Sequence, residues 1–217
     1  MAKIHLVIDI ETVGFSDDEV NPKILAYHQE RWNKKQDVDI DLEKAISWTL
    51  GKIICISTAR AADNPVEDPT LREVSIKSFV GADERRILSD FWHYLSGATP
   101  FARETQFVGF NSLSFDFPFI RGRSAILGIK PTIELPLRRY DPDHHYDVRM
   151  ILTNWGDRGL GNLSYWGEAF GIRYDPAVCV SEEVGAKFLA GDFEAIRLHC
   201  EEDVRITWEL YKKLTFL

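Results

Sequence analysis

Nowhere in the 217 residues is there an apolar run near the roughly 18 residues that a membrane span needs. Met-Ala-Lys leads straight into an apolar stretch without the core of a signal peptide, so no membrane partner is expected and the cytoplasm is the expected location. Cysteine is scarce: Cys55, Cys179 and Cys200 are scattered, odd in number and never spaced Cys-x-x-Cys. That pattern excludes a disulfide framework and a zinc ribbon, and it suits a reducing compartment. Excess positive charge is missing as well, with 26 Lys and Arg against 34 Asp and Glu, a net charge of -8. A protein that coats nucleic acid by electrostatics alone is thereby excluded, but acids gathered at a cation site would add the same negative charge. Repeats, low-complexity tracts and flexible linkers are absent too, so one domain spanning 1–217 is the simpler organisation.

What is present begins with Lys3 to Gly14, a β-branched and aliphatic run that carries two acids, Asp9 and Glu11. Two residues apart on a strand, both side chains point to one face. Crowded into an apolar setting, two carboxylates raise each other's pKa, whereas a hard divalent cation keeps both ionised. An isolated Asp-x-Glu also suits a solvated edge, so the reading depends on matching acids downstream.

Downstream, positions 15–41 are polar with a few apolar anchors, and they read as a partly helical insertion near the mouth of the site that Asp9 and Glu11 form. Leu50 to Ala59 predicts a buried strand, with Arg72 to Phe79 as its hairpin partner across a turn at Asp63 to Pro69. Ala82 to Leu95 predicts an amphipathic helix capped by Asp83 and ended by Gly97. A short strand over Gln106 to Phe110 leads into a helix over Phe117 to Leu127 with Pro118 in its first turn, which leaves Asp116 at the junction. Pro131 to Asp143 reads as a loop, Tyr146 to Leu152 as the start of a short helix, and Asn162 to Gly171 as a helix with Asn162 as its cap. Phe193 to Leu214 is the last helix, apolar at Ile196, Cys200, Val204, Trp208 and Tyr211. On it, His199 and Asp203 are four residues apart and share one face.

Acids at 9, 11, 116 and 203 can meet only through the fold. Four carboxylates around one point suit two Mg²⁺ or Mn²⁺ ions about 3.5 to 4 Å apart, the arrangement used for in-line displacement at a phosphate.

Three motifs carry these acids, Val7-Ile-Asp9-Ile-Glu11-Thr12, then Gly109-Phe-Asn111-Ser-Leu-Ser-Phe115-Asp116, then His199-Cys200-Glu-Glu-Asp203-Val204, and they span nearly the whole chain. Together they resemble the motifs of the DEDD superfamily of 3'-5' exonucleases, and most closely those of the stand-alone relatives of the proofreading exonuclease domain of B-family DNA polymerases. The resemblance implies an α/β fold, a ribonuclease-H-like mixed five-stranded sheet flanked by helices. It implies metal ligation by Asp9, Glu11, Asp116 and Asp203, with two ions, Mg²⁺ or Mn²⁺. It also implies a substrate role for Thr12 and Asn111. The expected partner is nucleic acid, a single-stranded DNA 3' end, and no covalent polymerase domain is expected.

One position departs from the pattern. The tyrosine subclass has Tyr four residues before the last Asp, where this chain has His199, and the histidine subclass has His five before it, where this chain has Leu198. An imidazole of ordinary pKa about 6.5 can accept a proton from water, whereas a phenol near about 10 mainly orients it. His199 is therefore assigned the water-positioning base, although a histidine this near a helix start also suits a solvent-facing place. Phe115 is a candidate platform for stacking a terminal base. Arg121, Arg123, Arg138 and Arg139 are candidates for phosphate contacts, with surface solvation as the commoner reason for such residues. Asp143-His-His-Tyr-Asp147 has the composition of a metal cluster, but adjacent ligands favour loop polarity plus an Asp at a helix start. The glycine-rich stretch Gly156 to Gly161 has no following Lys and does not succeed a strand, so a phosphate-cradling loop is not expected. Three functions stay open on these residues: a DNA exonuclease, an exoribonuclease of the same chemistry, and a nucleic-acid binding module without turnover.

Overall fold

The computed structural model describes residues 4–35, 37–62, 75–98, 105–156 and 161–216. Its centre is the first apolar strand, β1 (Ile4–Gly14), flanked by an antiparallel β2 (Gly51–Ala62) and a parallel β4 (Thr105–Gly109). β3 (Ser75–Val80) pairs antiparallel with β2, and β5 (His145–Asp147) pairs parallel with β4. The order β3-β2-β1-β4-β5 makes the expected mixed five-stranded sheet.

Strand periodicity decides which side of the sheet receives the acids. Leu6, Ile8 and Ile10 of β1 point into a core shared with α3 (Glu84–Ala98) and α4 (Asp116–Ile126). Val7 points to the other face, against Val204, Trp208 and Leu210 of α8 (Phe193–Thr215). Asp9 and Glu11 share Val7's parity, so they face α8. Two further features open space there. β4 pairs only with Ile4–Val7 of β1, so from Asp9 onward that edge is left to other elements. A bulge also follows Glu11, where the register moves from Glu11 opposite Cys55 to Thr12 opposite Ile53, and bulges re-aim side chains at such positions.

α8 is long because its start is capped by Asp192, whose carboxylate accepts from the Ala195 amide at 3.2 Å, and because one stripe from Ile196 to Tyr211 is buried. The segment after β1 holds two helices, α1 (Pro22–Trp32) and α2 (Ile40–Ala45), capped by Asn21 and Asp39. It packs around Val20, Trp32 and Leu50 and is tied to β1 by Thr12 Oγ1, which donates to the Ala45 carbonyl at 2.7 Å.

The remaining expectations divide. Asp83 caps α3 by accepting from the Arg86 amide, but the helix runs through Gly97 to Ala98. Asn162 caps α6 (Leu163–Ala169) as expected. Residues 145–147 form a strand, not the start of a helix, and α5 (Val148–Leu152) begins only after it. Three residues containing His and Asp carry no alternation to reveal a strand; parallel pairing with β4 makes one. A 3₁₀ turn at Ser181–Glu183 and α7 (Val184–Leu189) precede α8. The turn expected at Asp63 to Pro69, the start of its partner strand at 72–74, and positions 157–160 of the glycine-rich stretch lie outside the described residues. Among the described residues no helix is long and apolar enough to cross a membrane.

Candidate active site

β4 ends at Gly109, and the chain turns sharply through Asn111, which has φ 62. Asp147 holds this turn: its carboxylate accepts from the Asn111 and Leu113 amides, both at 2.9 Å, while capping α5 through the Met150 amide at 3.2 Å. Ser112 Oγ pairs with His145 Nε2 at 2.8 Å, and His145 Nδ1 reaches the Pro136 carbonyl at 3.0 Å. Burial pushes the His145 pKa down to about 4, so the imidazole is a neutral core group. The Asp143–Asp147 stretch is thus scaffold for the loop that carries the second motif.

Ser112 packs against Gly109 so closely that a Cβ there would overlap its Cβ and Oγ. Gly109→Ala should therefore destabilise the protein by about 1–3 kcal/mol in urea melts, because backbone and loop must shift together; an unchanged midpoint would contradict this packing.

The loop delivers Asp116 to the first turn of α4, where its Oδ1 accepts from the Ile10 amide at 3.1 Å, beyond the part of β1 that pairs with β4. α8 delivers the rest. His199 Nε2 lies 3.4 Å from Glu11 Oε1 and 4.0 Å from Asp203 Oδ2. The Cys200 thiol donates to Asp9 Oδ2 at 3.4 Å and to the Asp9 carbonyl at 3.5 Å. Asp203 Oδ1 accepts from the Tyr174 hydroxyl at 2.5 Å.

Electrostatics reports the same convergence. Burial first, then repulsion from Asp203, Asp116 and Glu11, holds the Asp9 carboxyl well above the usual range. Glu11 is raised by burial and by Asp203. Burial also raises Asp203, and it pushes Asp116 up to about 8 against the opposing effect of backbone hydrogen bonds. Among the described residues no Lys or Arg forms an ion pair with any of the four. Four buried acids without a Lys or Arg partner among the described residues, their carboxyls raised by burial and by mutual repulsion, suit a hard divalent cation.

Among the described residues there are two groups whose own ligand atoms all lie within 4.8 Å of one another: Asp9, Glu11 and Cys200, and Glu11, His199 and Asp203. Glu11 belongs to both. Asp116 lies outside these tight groups, although its charge is felt at Asp9 and Glu11.

The other candidates occupy distinct places. His199 is buried, not solvent-facing, with 3% of its side chain exposed. Its Nδ1 is without a hydrogen-bond partner among the described residues. The Thr12 hydroxyl is committed to Ala45, and the Asn111 side-chain oxygen accepts from Arg149 Nη1 at 2.9 Å, which leaves the Asn111 amide nitrogen for other partners. Phe115 is half-buried, edge-on to Phe119 at 5.5 Å. Arg121, Arg138 and Arg139 are exposed. Arg123 is not: it is buried and forms a two-pronged pair with Glu84, so it is removed from the phosphate candidates.

Sequence reasoning missed three residues here. Cys200 stood as an apolar stripe position, although it lies three residues before Asp203 and so shares its face. Arg149 and Tyr174 carry no motif and reach the site only through the fold.

A family model described as a predicted 3'-5' exonuclease related to the exonuclease domain of PolB matches residues 44–217. The match begins after β1, so Asp9 and Glu11 rest on geometry and on their own motif. No curated protein matches the sequence. Among solved structures, the family B DNA polymerase from the hyperthermophilic archaeon Pyrobaculum calidifontis is similar over 98% of this chain, with a TM-score of 0.59 and 17% identity. The chain spans 24% of that polymerase chain. At that identity the likeness establishes the fold alone, a ribonuclease-H-like mixed sheet flanked by helices.

Proposed function

This chain belongs to the family of predicted 3'-5' exonucleases related to the exonuclease domain of PolB, and from that premise we propose that it hydrolyses the terminal phosphodiester at the 3' end of single-stranded or frayed DNA, releasing nucleoside 5'-monophosphates. The observation that carries the reading is the convergence of Asp9, Glu11, Asp116 and Asp203 from β1, α4 and α8 with no Lys or Arg paired to them among the described residues, His199 being the basic side chain beside Glu11 and Asp203.

In this reading Asp9, Glu11, Asp116 and Asp203 would hold two divalent cations, Mg²⁺ or Mn²⁺. When bound, such ions lower the pKa of water and stabilise a leaving oxygen. His199 faces the same space through Nε2 and accepts the proton that the attacking water gives up. Asn111, oriented by Arg149, offers its amide nitrogen to the strand, and the exposed side of Phe115 stacks on the terminal base. Thr12 acts from the first motif by seating α2 beside the site.

The test is a 5'-labelled single strand, as DNA and as RNA of one sequence, incubated with Mg²⁺, Mn²⁺ or EDTA. DNA should yield a ladder shortened from the 3' end that needs metal, and Asp9→Ala should slow it by at least about 10³-fold. A ladder from RNA alone would move the substrate assignment. No ladder from either polymer would leave only a binding module.

A further inference from the structure

Tyr174 follows α6 in a segment without regular structure, yet it is one of the most firmly held side chains at the site. Both of its neighbours in the chain are laced to α8 around Asp203. Arg205 Nη2 donates to the Arg173 carbonyl at 2.6 Å, and the Asp175 amide donates to Glu202 Oε1 at 2.8 Å. Arg205 Nε closes the set on Glu202 Oε2 at 2.7 Å. The Tyr174 ring packs against the cluster that contains Val204. Fixed from both sides, its hydroxyl has one partner among the described residues, Asp203 Oδ1.

The two oxygens of Asp203 are thereby divided. Oδ1 is occupied by the phenol, and Oδ2 is turned toward His199 Nε2 and the Glu11 side of the site. We infer that Tyr174 is a positioning residue that restricts Asp203 to a single ligating oxygen and so biases the site toward small six-coordinate ions, Mg²⁺ and Mn²⁺, and against Ca²⁺. Ca²⁺ takes six to eight oxygens and accepts a carboxylate through both, whereas Mg²⁺ demands near-octahedral geometry with one oxygen per carboxylate. A partner behind a metal ligand tunes affinity about 10- to 100-fold. The inference rests on the reading of the acidic site as a cation centre.

The experiment measures ions, not turnover. Full-length protein stripped with EDTA is titrated with Mn²⁺ and the free ion followed by electron paramagnetic resonance; bound Mn²⁺ is then displaced with Ca²⁺. Tyr174→Phe, which removes only the hydroxyl, should weaken Mn²⁺ binding about tenfold and lower by a similar factor the Ca²⁺ excess needed to displace it. Arg205→Ala, which unties the segment and leaves the hydroxyl, should shift that ratio in the same direction by less. An unchanged displacement ratio in both variants overturns the inference and leaves the cation centre standing. Wild-type protein that binds no Mn²⁺ overturns both.

Discussion

Asp116→Asn should make the metal-free protein more stable at pH 8.5 while slowing metal-dependent hydrolysis by about 10²–10³-fold. The expectation comes from what the four buried acids do in the absence of a cation. Asp116 has its pKa moved from 3.8 to about 8, chiefly by burial, and its charge raises Asp9 and Glu11. A carboxyl whose pKa is raised by folding binds more protons in the native state than in the unfolded one, so stability falls as pH rises. For Asp116 that contribution is complete below 3.8 and is lost as pH climbs through about 8. The EDTA-treated wild type should therefore melt lower at pH 8.5 than at pH 5.5. Asparagine cannot ionise, and its side-chain oxygen can still accept from the Ile10 amide. The variant should thus come closest to the wild type at about pH 4, gain on it as pH rises, and exceed it at pH 8.5, by about 2–4 °C for each kcal/mol recovered. Mn²⁺ should reverse the order, because an ion that binds only the folded state raises the wild-type melting temperature by mass action and finds a weaker site in the variant. Thermal melts across pH, with EDTA and with Mn²⁺, check each part. A wild type whose stability rises between pH 5.5 and 8.5 in EDTA would refute the electrostatic picture.

The cost of gathering buried acids is also why the site was readable from sequence. Acids inside apolar runs are costly, so their presence at 9, 116 and 203 marks where something must compensate them. The parity of β1 follows from its spacing alone and was sufficient to place Asp9 and Glu11 together; the i, i+4 spacing on α8 did the same for His199 and Asp203. What could not be read depends on packing between distant segments. Asp147 looked like a helix cap and is one, but it also holds the loop that bears Asn111, a role set by β5 lying beside β4. Tyr174 is 29 residues from Asp203 and reaches it through ties at its neighbours, which no local pattern announces. Strand β5 is too short and too polar for alternation to reveal it. Arg123 was misplaced for a related reason: a charged residue near a site motif suggests a surface contact, and only the position of Glu84 on α3 makes it a core group.

That buried pair carries the largest stability effect. Arg123 Nε and Nη2 meet Glu84 Oε1 and Oε2 at 2.9 and 2.7 Å, with side-chain exposures of 6% and 7%. Glu84 Oε1 also accepts from the Ile53 amide at 2.8 Å, while Arg123 Nη1 reaches the Trp48 carbonyl at 3.3 Å and its guanidinium lies 4.9 Å from the centre of the Phe15 ring. One ion pair thus joins α3, α4, β2 and the segment before β2. Arg123→Ala leaves a buried carboxylate without its cation and should cost about 3–5 kcal/mol in urea denaturation. The pair itself adds less than that loss suggests, because desolvating both charges offsets much of their attraction. The double variant Glu84→Gln with Arg123→Met should therefore recover most of the loss, since the glutamine oxygen can still accept from Ile53 and the methionine fills similar volume. Arg121→Ala, two residues earlier on the exposed side of α4, should leave stability within about 0.5 kcal/mol. If Arg123→Ala instead kept full stability and lost only affinity for single-stranded DNA, Arg123 would return to the substrate groove and the buried pair would not exist in solution.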